Sequence, residues 1–219
     1  MAALGVGALG AQPAAAACGG VKHVRPKVDR NPGRAPLAIG DSVLLGALNQ
    51  VSGAGFEIDT RGCRQMSEGL RVLRRRKRAG TLPRFVAVSL GANLDIGRGE
   101  IRSALRILGR KRVLGMVTPR EDAHDARVIR AARRRHGKRM IVLDWGAYSR
   151  GRSGWFSGDG LHLGPGGAAG LARLLGRGLR RLYPLQARWR HLGATNGALR
   201  GPPQHAVAAD PPRDQTRGD

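Results

Sequence analysis

One serine in this sequence lies where its hydroxyl could act as a nucleophile. The apolar run Leu37-Ala38-Ile39 ends in Gly40-Asp41-Ser42, and a pattern typical of a helix follows. A serine at the junction of a strand and a helix can present its hydroxyl where the amides of the helix N-terminus point outward. Acyl transfer requires this geometry, so Ser42 is a candidate nucleophile.

The other parts of an acyl-transfer site occur downstream of this serine. His162 can act as the general base, and Asp159, three residues earlier, can hold the tautomer of its imidazole. The backbone N–H of Ser42, a backbone N–H of the Gly62-Cys63 turn and the side-chain amide of Asn93 could bind the oxyanion. Each residue alone is better explained by turn or helix-cap chemistry. Their joint order and placement favour an active site.

Three residues close to these positions allow structural interpretations. Asp41 is adjacent to Ser42, but neighbours on a turning chain point apart, so we expect Asp41 to hold the turn through backbone hydrogen bonds. Trp155 and Phe156 precede Asp159, and they could either wall the substrate site or pin the long loop. None of the three is counted among the catalytic residues.

Hydrophobic periodicity predicts the elements that would position these residues. Five short apolar runs alternate with longer helical patterns, which indicates right-handed β-α-β crossovers and a three-layer α/β sandwich around a parallel five-stranded sheet. Sites in such sheets form outside the carboxyl ends of the strands, where the candidate residues fall. The predicted strands are Leu37–Ile39, Phe56–Asp59, Phe85–Leu90, Val113–Thr118 and Met140–Asp144, and the predicted helices are Val43–Val51, Ser67–Arg78, Gly99–Leu108, Ala123–His136 and Gly166–Leu182.

The charge of the chain is unusual, with 39 basic and 15 acidic residues and a net charge of +24. Such an excess can indicate an anionic polymer as partner, either a nucleic acid or an envelope polymer, or a membrane surface. Only 5 of the basic residues are lysine, and the arginines are scattered over the predicted helices and turns. A generally basic, solvated surface is therefore the favoured interpretation.

The chain ends differ in composition from its middle. Residues 1–20 are small, apolar and uncharged, similar to the h-region and cleavage zone of a signal peptide, although a basic n-region is missing, so a disordered stretch is the alternative. No apolar run approaches the ~20 residues of a membrane span. We expect an N-terminal arm at 21–35, one folded domain at 36–184 and a disordered tail at 185–219. Export to the cell envelope or the exterior is favoured over the cytoplasm.

The two cysteines allow two interpretations that depend on the compartment. In an exported protein, their even number suggests one disulfide that ties the N-terminal arm at Cys18 to the loop containing Cys63. In a cytosolic protein both would be free thiols. Their spacing matches no metal site, which would need more ligands.

The motifs resemble those of the SGNH/GDSL hydrolases. Gly40-Asp41-Ser42 resembles the first block of that family, Gly91-Ala92-Asn93 the Gly-x-Asn block, and Asp159-Gly160-Leu161-His162 the Asp-x-x-His block. The resemblance covers about residues 36–183. Longer phrases are similar to the SGNH domains attached to envelope acyltransferases, including peptidoglycan O-acetyltransferases, and to their free-standing actinobacterial relatives; these phrases span 39–47, 64–66 and 159–163.

This resemblance implies a flavodoxin-like sheet, ester chemistry by a Ser-His-Asp triad, and no metal or other cofactor. The second block of the family supplies an oxyanion-hole glycine, and either Gly62 or Cys63 could align with it. A backbone N–H donor does not require glycine, so both residues stay candidates.

Together these observations predict a serine esterase that cleaves O-acyl groups from carbohydrate or from a small ester. Ser42 would attack the carbonyl, His162 would take its proton, and water would release the acid. An O-acyltransferase with the same triad, acting on envelope polysaccharide, is one alternative. A basic module that binds an anionic polymer and carries a degenerate active site is the other.

Overall fold

A computed structural model describes residues 18–28 and 34–182 of the chain. Its centre is a six-stranded sheet with the order β1-β3-β2-β4-β5-β6, in which β2 to β6 are parallel and β1 pairs antiparallel with β3 at the edge. The strands are β1 (Lys22–Val24), β2 (Leu37–Gly40), β3 (Glu57–Thr60), β4 (Phe85–Ser89), β5 (Val113–Val117) and β6 (Met140–Leu143). The strand order reverses at β2, so the carboxyl end of β2 is the topological switch point.

Seven α-helices among the described residues surround this sheet. They are α1 (Ser42–Leu45), α2 (Leu48–Gly53), α3 (Met66–Arg78), α4 (Arg98–Leu108), α5 (Ala123–His136), α6 (Trp145–Tyr148) and α7 (Pro165–Leu182), with 3₁₀ turns at Gly137–Arg139 and Ser153–Trp155. The apolar sides of α3, α4 and α5 join one buried cluster with the central strands. On the other face, α7 packs against α2 and β6. These layers confirm the predicted α/β sandwich.

The structure differs from the predicted elements in two places. β1 lies in the segment predicted to be an arm without structure; three residues with one partly buried side chain carry too little periodicity to be recognised. The predicted helix Val43–Val51 is two short helices, because the chain turns at Gly46 and Ala47. A Cβ on Gly46 would lie 3.4 Å from the Cβ of Leu163, so the loop that follows β6 packs at this break.

The other boundaries agree with prediction or differ from it by one residue. Helix α3 begins one residue earlier than expected, and Gln65 rather than Ser67 is its N-cap; the Glu68 carboxylate accepts a hydrogen bond from the Gln65 amide at 3.4 Å. Helix α5 has the predicted ends, with Asp122 as its N-cap. Pro165 opens α7, as a proline in the first turn of a helix can. The arginine runs close α3 and α5 as predicted.

The predicted segment 1–20 lies outside the described residues except for 18–20, and the predicted tail at 185–219 lies wholly outside them. Of the predicted arm at 21–35, the structure describes 21–28 and 34–35. Within the described part, none of the helices is both long enough and apolar enough to cross a membrane.

Candidate active site

Ser42 is the first residue of α1 and directly follows the turn at the end of β2. Asp41 is the N-cap of this helix, and its Oδ1 accepts a hydrogen bond from the Val43 amide at 3.0 Å. The carbonyl of Asp41 accepts from the Thr60 hydroxyl at 2.8 Å, which ties the turn to the end of β3. The positioning role predicted for Asp41 is therefore confirmed.

The Asp41 carboxyl links this turn to two other parts of the site. Its side chain is buried, and burial raises its pKa to about 6, while hydrogen bonds from the amides of Val43 and Ala92 and the charge of His162 act in the opposite direction. Ala92 belongs to the Gly-x-Asn segment. The two sequence neighbours of His162 reach the same region, since Leu161 lines a cavity together with Asp41 and Leu163 packs at Gly46.

Asp159 and His162 form the pair that the sequence predicted. The Nδ1 of His162 and the Oδ2 of Asp159 are 2.5 Å apart, and the Asp159 Oδ1 accepts hydrogen bonds from the amides of Leu161 and His162 at 2.9 and 3.0 Å. The hydrogen bond from His162 and these amides lower the pKa of Asp159 to about 2. A carboxylate on Nδ1 leaves Nε2 as the proton acceptor, which is the tautomer that a general base needs.

The Oγ of Ser42 forms no hydrogen bond with the imidazole of His162 within the described residues. Contacts of this kind often tighten only when substrate binds. The structure thus brings the predicted nucleophile and base to the same sheet edge without joining them directly.

Trp155 and Phe156 pin the loop that carries this pair. Trp155 packs against three glycines of α7, Gly166, Gly167 and Gly170. A Cβ on Gly170 would come within 2.4 Å of the Trp155 ring. Trp155 also stacks on Trp145 with the ring centroids 5.8 Å apart. Phe156 forms a β-bridge with Leu163. Of the two roles that the sequence left open for these aromatic residues, these contacts support the pinning one.

Two of the predicted oxyanion donors, Gly62 and Cys63, follow β3, and the Arg61 amide just before them donates to the Gly40 carbonyl at 3.3 Å. Among the described residues, the amides of Ser42, Gly62 and Cys63 donate no backbone hydrogen bond. Cys63 adopts φ = 54° and is bonded to Cys18 in a disulfide, which the sequence had suggested. A Cβ on Gly62 would meet the carbonyl oxygen of Cys18 at 2.6 Å. Close packing against Cys18 therefore explains why residue 62 is a glycine. Both Gly62 and Cys63 remain candidate donors.

A buried ion pair supports the turn that contains Gly62 and Cys63. Arg64, whose side chain is 3% exposed, donates to the carbonyl of Asp59 at 2.5 Å and to its carboxylate at 2.8 Å. Arg75 of α3 donates to the other carboxylate oxygen at 3.1 Å. The end of β3 is thereby anchored from both sides.

Asn93 lies on an exposed segment that two buried contacts hold in place. Gly91 has φ = 116°, a conformation that a side chain would strain, and a Cβ there would lie 3.1 Å from a carboxylate oxygen of Asp125. The Ile96 amide donates to both carboxylate oxygens of Asp125, at 2.9 and 2.8 Å. Burial raises the pKa of Asp125, and the Ile96 amide opposes that shift. Sequence reasoning missed Asp125, because an aspartate in the first turn of a helix carries no sign of a distant partner.

A cavity of about 450 Å³ opens beside Asp41 and Asn93. Its walls are the Gly-x-Asn segment on one side and the connection between β5 and α5 on the other, with apolar side chains in its floor and charged groups at its rim. The lining includes Val43, Leu90, Leu94, Asp95, Val117, Arg120, Glu121, Trp145 and Leu161. Asp41 and Val43, the two sequence neighbours of Ser42, line this cavity, whereas Ser42 and His162 do not. Its volume lies in the range of sites for small molecules.

One group of residues could be mistaken for a metal centre. Asp122, His124 and Asp125 bring one ligand atom each within 4.8 Å of one another. However, Asp122 caps α5 by accepting from the Asp125 amide at 2.9 Å, and both oxygens of Asp125 accept from Ile96. Helix capping and loop support account for this group.

Comparisons with known proteins agree with this architecture. No family model matches the chain. It is 28% identical over 143 residues to a Bacillus subtilis protein named "Putative peptidoglycan O-acetyltransferase YrhL". The match covers 64% of this chain but only 23% of that relative, so the chain spans about a quarter of its length.

Solved structures share the fold at low sequence identity. The C-terminal catalytic domain of the Streptococcus pneumoniae peptidoglycan O-acetyltransferase OatA has a TM-score of 0.59 and 18% identity, covering 69% of this chain and 95% of that domain. A family 3 carbohydrate esterase from Talaromyces cellulolyticus has a TM-score of 0.55 and 16% identity, covering 68% of this chain and 98% of the esterase. The predicted resemblance to the SGNH hydrolases is confirmed: the chain has their mostly parallel α/β fold. The sheet has one antiparallel edge strand more than predicted.

Proposed function

We propose that this protein is a serine esterase that removes O-acyl groups from carbohydrate. Ser42 attacks the ester carbonyl and passes its proton to Nε2 of His162, whose other nitrogen is held by Asp159. The resulting imidazolium protonates the departing alcohol, and water then releases the acid from the acyl-enzyme by the same route. The oxyanion of each tetrahedral intermediate would accept from the Ser42 amide, an amide of Gly62 or Cys63, and Asn93.

The observation that carries this proposal is the contact between His162 and Asp159 beside the Ser42 turn. The Nδ1–carboxylate distance of 2.5 Å and the free Nε2 define a base, and the helix N-terminus behind Ser42 supplies donors. A helix cap alone would account for Ser42 but not for an exposed imidazole oriented by a carboxylate at the same sheet edge.

Hydrolysis of p-nitrophenyl acetate by the wild type, Ser42→Ala and His162→Ala tests the proposal. Both substitutions should lower kcat/KM by about 10³-fold or more, as removal of triad members does. Ser67→Ala and His124→Ala are matched controls, since both residues are exposed and neither lines the cavity. Equal activity in all five proteins would overturn the assignment of the nucleophile and base.

Transfer of the acyl group to a sugar hydroxyl is a second candidate function. It is favoured by the match to YrhL, whose name describes a peptidoglycan O-acetyltransferase. The same acyl-enzyme would form, and a sugar hydroxyl would replace water in the second step. Mass spectrometry of a chito-oligosaccharide incubated with the enzyme and p-nitrophenyl acetate distinguishes the two, because only a transferase adds 42 Da to the sugar, about the mass of one acetyl group.

The disulfide supports a location outside the reducing cytoplasm. Disulfides persist in oxidising compartments, and the Cys18–Cys63 bond closes a 45-residue separation next to the site. We therefore propose that the protein acts in the cell envelope or outside the cell, where an acylated polysaccharide would be its substrate.

A further inference from the structure

Arg120 is an arginine for which the proposed mechanism has no role, although it lies against the site. It belongs to the connection between β5 and α5 and lines the cavity beside Asn93, with 28% of its side chain exposed. Its Nη1 donates to the carbonyl of Gly160 and to the carboxylate of Glu121. Its guanidinium carbon lies 4.2 Å from the centroid of the Phe156 ring. Two of these three contacts are with the loop that carries Asp159 and His162.

The position of Gly160 makes the first contact important. Gly160 lies between Asp159 and His162 and has φ = 69°, so the chain reverses there. The hydrogen bonds within this loop are local: Asp159 accepts from Leu161 and His162, and the Ser157 amide donates to the His162 carbonyl at 2.8 Å. Local bonds fix the shape of the loop but not its direction towards Ser42.

Contacts from outside the loop must therefore fix that direction. Trp155 anchors the start of the loop on α7, and Leu163 packs at Gly46 after its end. Between these two points, the side chains of Asp159 and His162 are each 48% exposed. Arg120 reaches this middle part by a hydrogen bond to the Gly160 carbonyl, and Glu121 and the Phe156 ring hold the guanidinium in place.

We propose that Arg120 is a positioning residue that holds Gly160 and thereby directs the Asp159–His162 pair towards Ser42. The inference rests on the proposed esterase function. Because Arg120 also lines the cavity, it connects the wall that would contact substrate with the loop that supplies the base.

Arg152 provides a matched control for this role. Its Nη1 donates to the carbonyl of Tyr148, and its guanidinium carbon lies 5.2 Å from the Tyr148 ring and 4.8 Å from the Trp155 ring. Arg152 thus makes the same kinds of contact as Arg120, a carbonyl hydrogen bond and cation–π contacts. Its carbonyl partner belongs to α6 rather than to the 157–163 loop.

Kinetics of Arg120→Gln, Arg120→Met, Arg120→Lys and Arg152→Gln test the proposal. Loss of the Gly160 contact should lower kcat by about 10- to 100-fold, the size expected when a catalytic group is displaced by about 1 Å. KM should change by less than about threefold, because Arg120 acts on the position of the base and not on the affinity for substrate. Arg120→Lys should recover part of kcat because it keeps a charged donor. Arg152→Gln should stay within about threefold of the wild type, because Trp155 keeps its packing on α7 and no bond to the 157–163 loop is lost.

Titration of the Asp159 carboxyl by ¹³C NMR separates a loss of direction from a loss of the loop's own structure. In the wild type the His162 hydrogen bond and the loop amides hold the pKa of Asp159 at about 2. In Arg120→Gln and Arg120→Met this pKa should stay there while kcat falls, because the bonds within the loop are local. A kcat within twofold of the wild type in both variants, or a rise of the Asp159 pKa towards 3.8, would overturn the proposal.

The two proposals can fail separately. If the wild type neither hydrolyses the ester nor reacts at Ser42, the esterase function fails, while the ¹³C shift of the Gly160 carbonyl in Arg120→Gln still tests the contact of Arg120 with the loop. If the wild type is active and the Arg120 variants equal Arg152→Gln, only the positioning role fails.

Discussion

The turn that presents Ser42 and the loop that presents His162 reach the same sheet edge but are built differently. Asp41 is 1% exposed, and its partners are backbone amides and the buried Thr60 hydroxyl. Asp159 and His162 are each 48% exposed, and their loop is held by side chains that reach in from α7 and from the β5–α5 connection. The turn that presents Ser42 is thus anchored in the core, whereas the proposed base is carried on the surface.

Because of this difference, we expect substitutions in the two regions to have different effects on stability and on rate. Substitutions around Ser42 should change the free energy of unfolding, since they disturb buried polar groups. Substitutions of the exposed pair should leave stability almost unchanged and act on rate alone. The predictions below test that separation.

Asp159→Asn should give the largest effect, a loss of kcat/KM of about 10³- to 10⁴-fold, because the imidazole would lose its carboxylate and adopt the wrong tautomer. Its free energy of unfolding in urea should stay within about 0.5 kcal/mol of the wild type, as for other exposed positions. Glu100→Gln, on α4 and outside the cavity lining, is the control and should keep activity within a few-fold. A destabilisation above about 2 kcal/mol in Asp159→Asn would contradict the expectation that the exposed pair affects the rate and not the stability.

Removal of the disulfide should act on stability instead. The chain-entropy model gives about 4 kcal/mol at most for a loop of this size, and the bond joins residues 45 apart in sequence. The double variant Cys18→Ser with Cys63→Ser should unfold at lower urea concentration by an amount that corresponds to about 2–4 kcal/mol. Dithiothreitol should destabilise the wild type equally and leave the double variant unchanged. A difference below about 1 kcal/mol would show that the arm contributes little.

Asp41→Asn should change how stability depends on pH. The pKa of Asp41 is raised from 3.8 to about 6 in the folded state, so this group contributes stability at low pH that is lost as the pH rises from about 4 through about 6. At about 1.4 kcal/mol per pKa unit, the loss amounts to about 3 kcal/mol. Relative to the wild type, the asparagine variant should therefore gain up to that amount between pH 4 and pH 7. A difference in the free energy of unfolding between the two proteins that stays constant over this pH range would contradict the raised pKa of Asp41.

Gly170→Ala should give the smallest of these effects on stability and a distinct effect on rate. Its methyl group would come within 2.4 Å of the Trp155 ring, so the ring and the loop must move, which costs about 1–3 kcal/mol, partly offset by about 1 kcal/mol of helix propensity. We expect kcat to fall by about tenfold. Gly176→Ala, on the same helix, meets only the flexible end of Arg180 at 3.4 Å and should be neutral or stabilising with full activity. Equal behaviour of the two variants would show that Trp155 does not anchor the loop.

Much of this architecture is visible in the sequence because it depends on local patterns. Continuous apolar runs identified the five parallel strands, and the residues that follow them supplied Ser42, Asn93 and the Asp159–His162 pair. Helix α5 was predicted to the residue, because Asp122 caps it and Gly137 ends it. The switch point at β2 depends on the order of the strands in the sheet. Hydrophobic periodicity does not reveal that order.

The parts that the sequence did not reveal depend on contacts between distant segments. Arg120 is one of many arginines, and only the fold brings it to Gly160, 40 residues later. Asp125 meets Ile96 across 29 residues. β1 forms because β3 offers an open edge, and its own residues, Lys22–Val24, carry no strand periodicity. Long-range pairing of this kind has no local signature.

Covalent labelling tests the central claim most directly. Incubation with a fluorophosphonate, followed by proteolysis and mass spectrometry of the peptides, should find one modified residue, Ser42, at one label per chain. His162→Ala should label at least about 100-fold more slowly, since the base activates the hydroxyl. Labelling of a different residue, or equal rates in the wild type and in His162→Ala, would contradict the account.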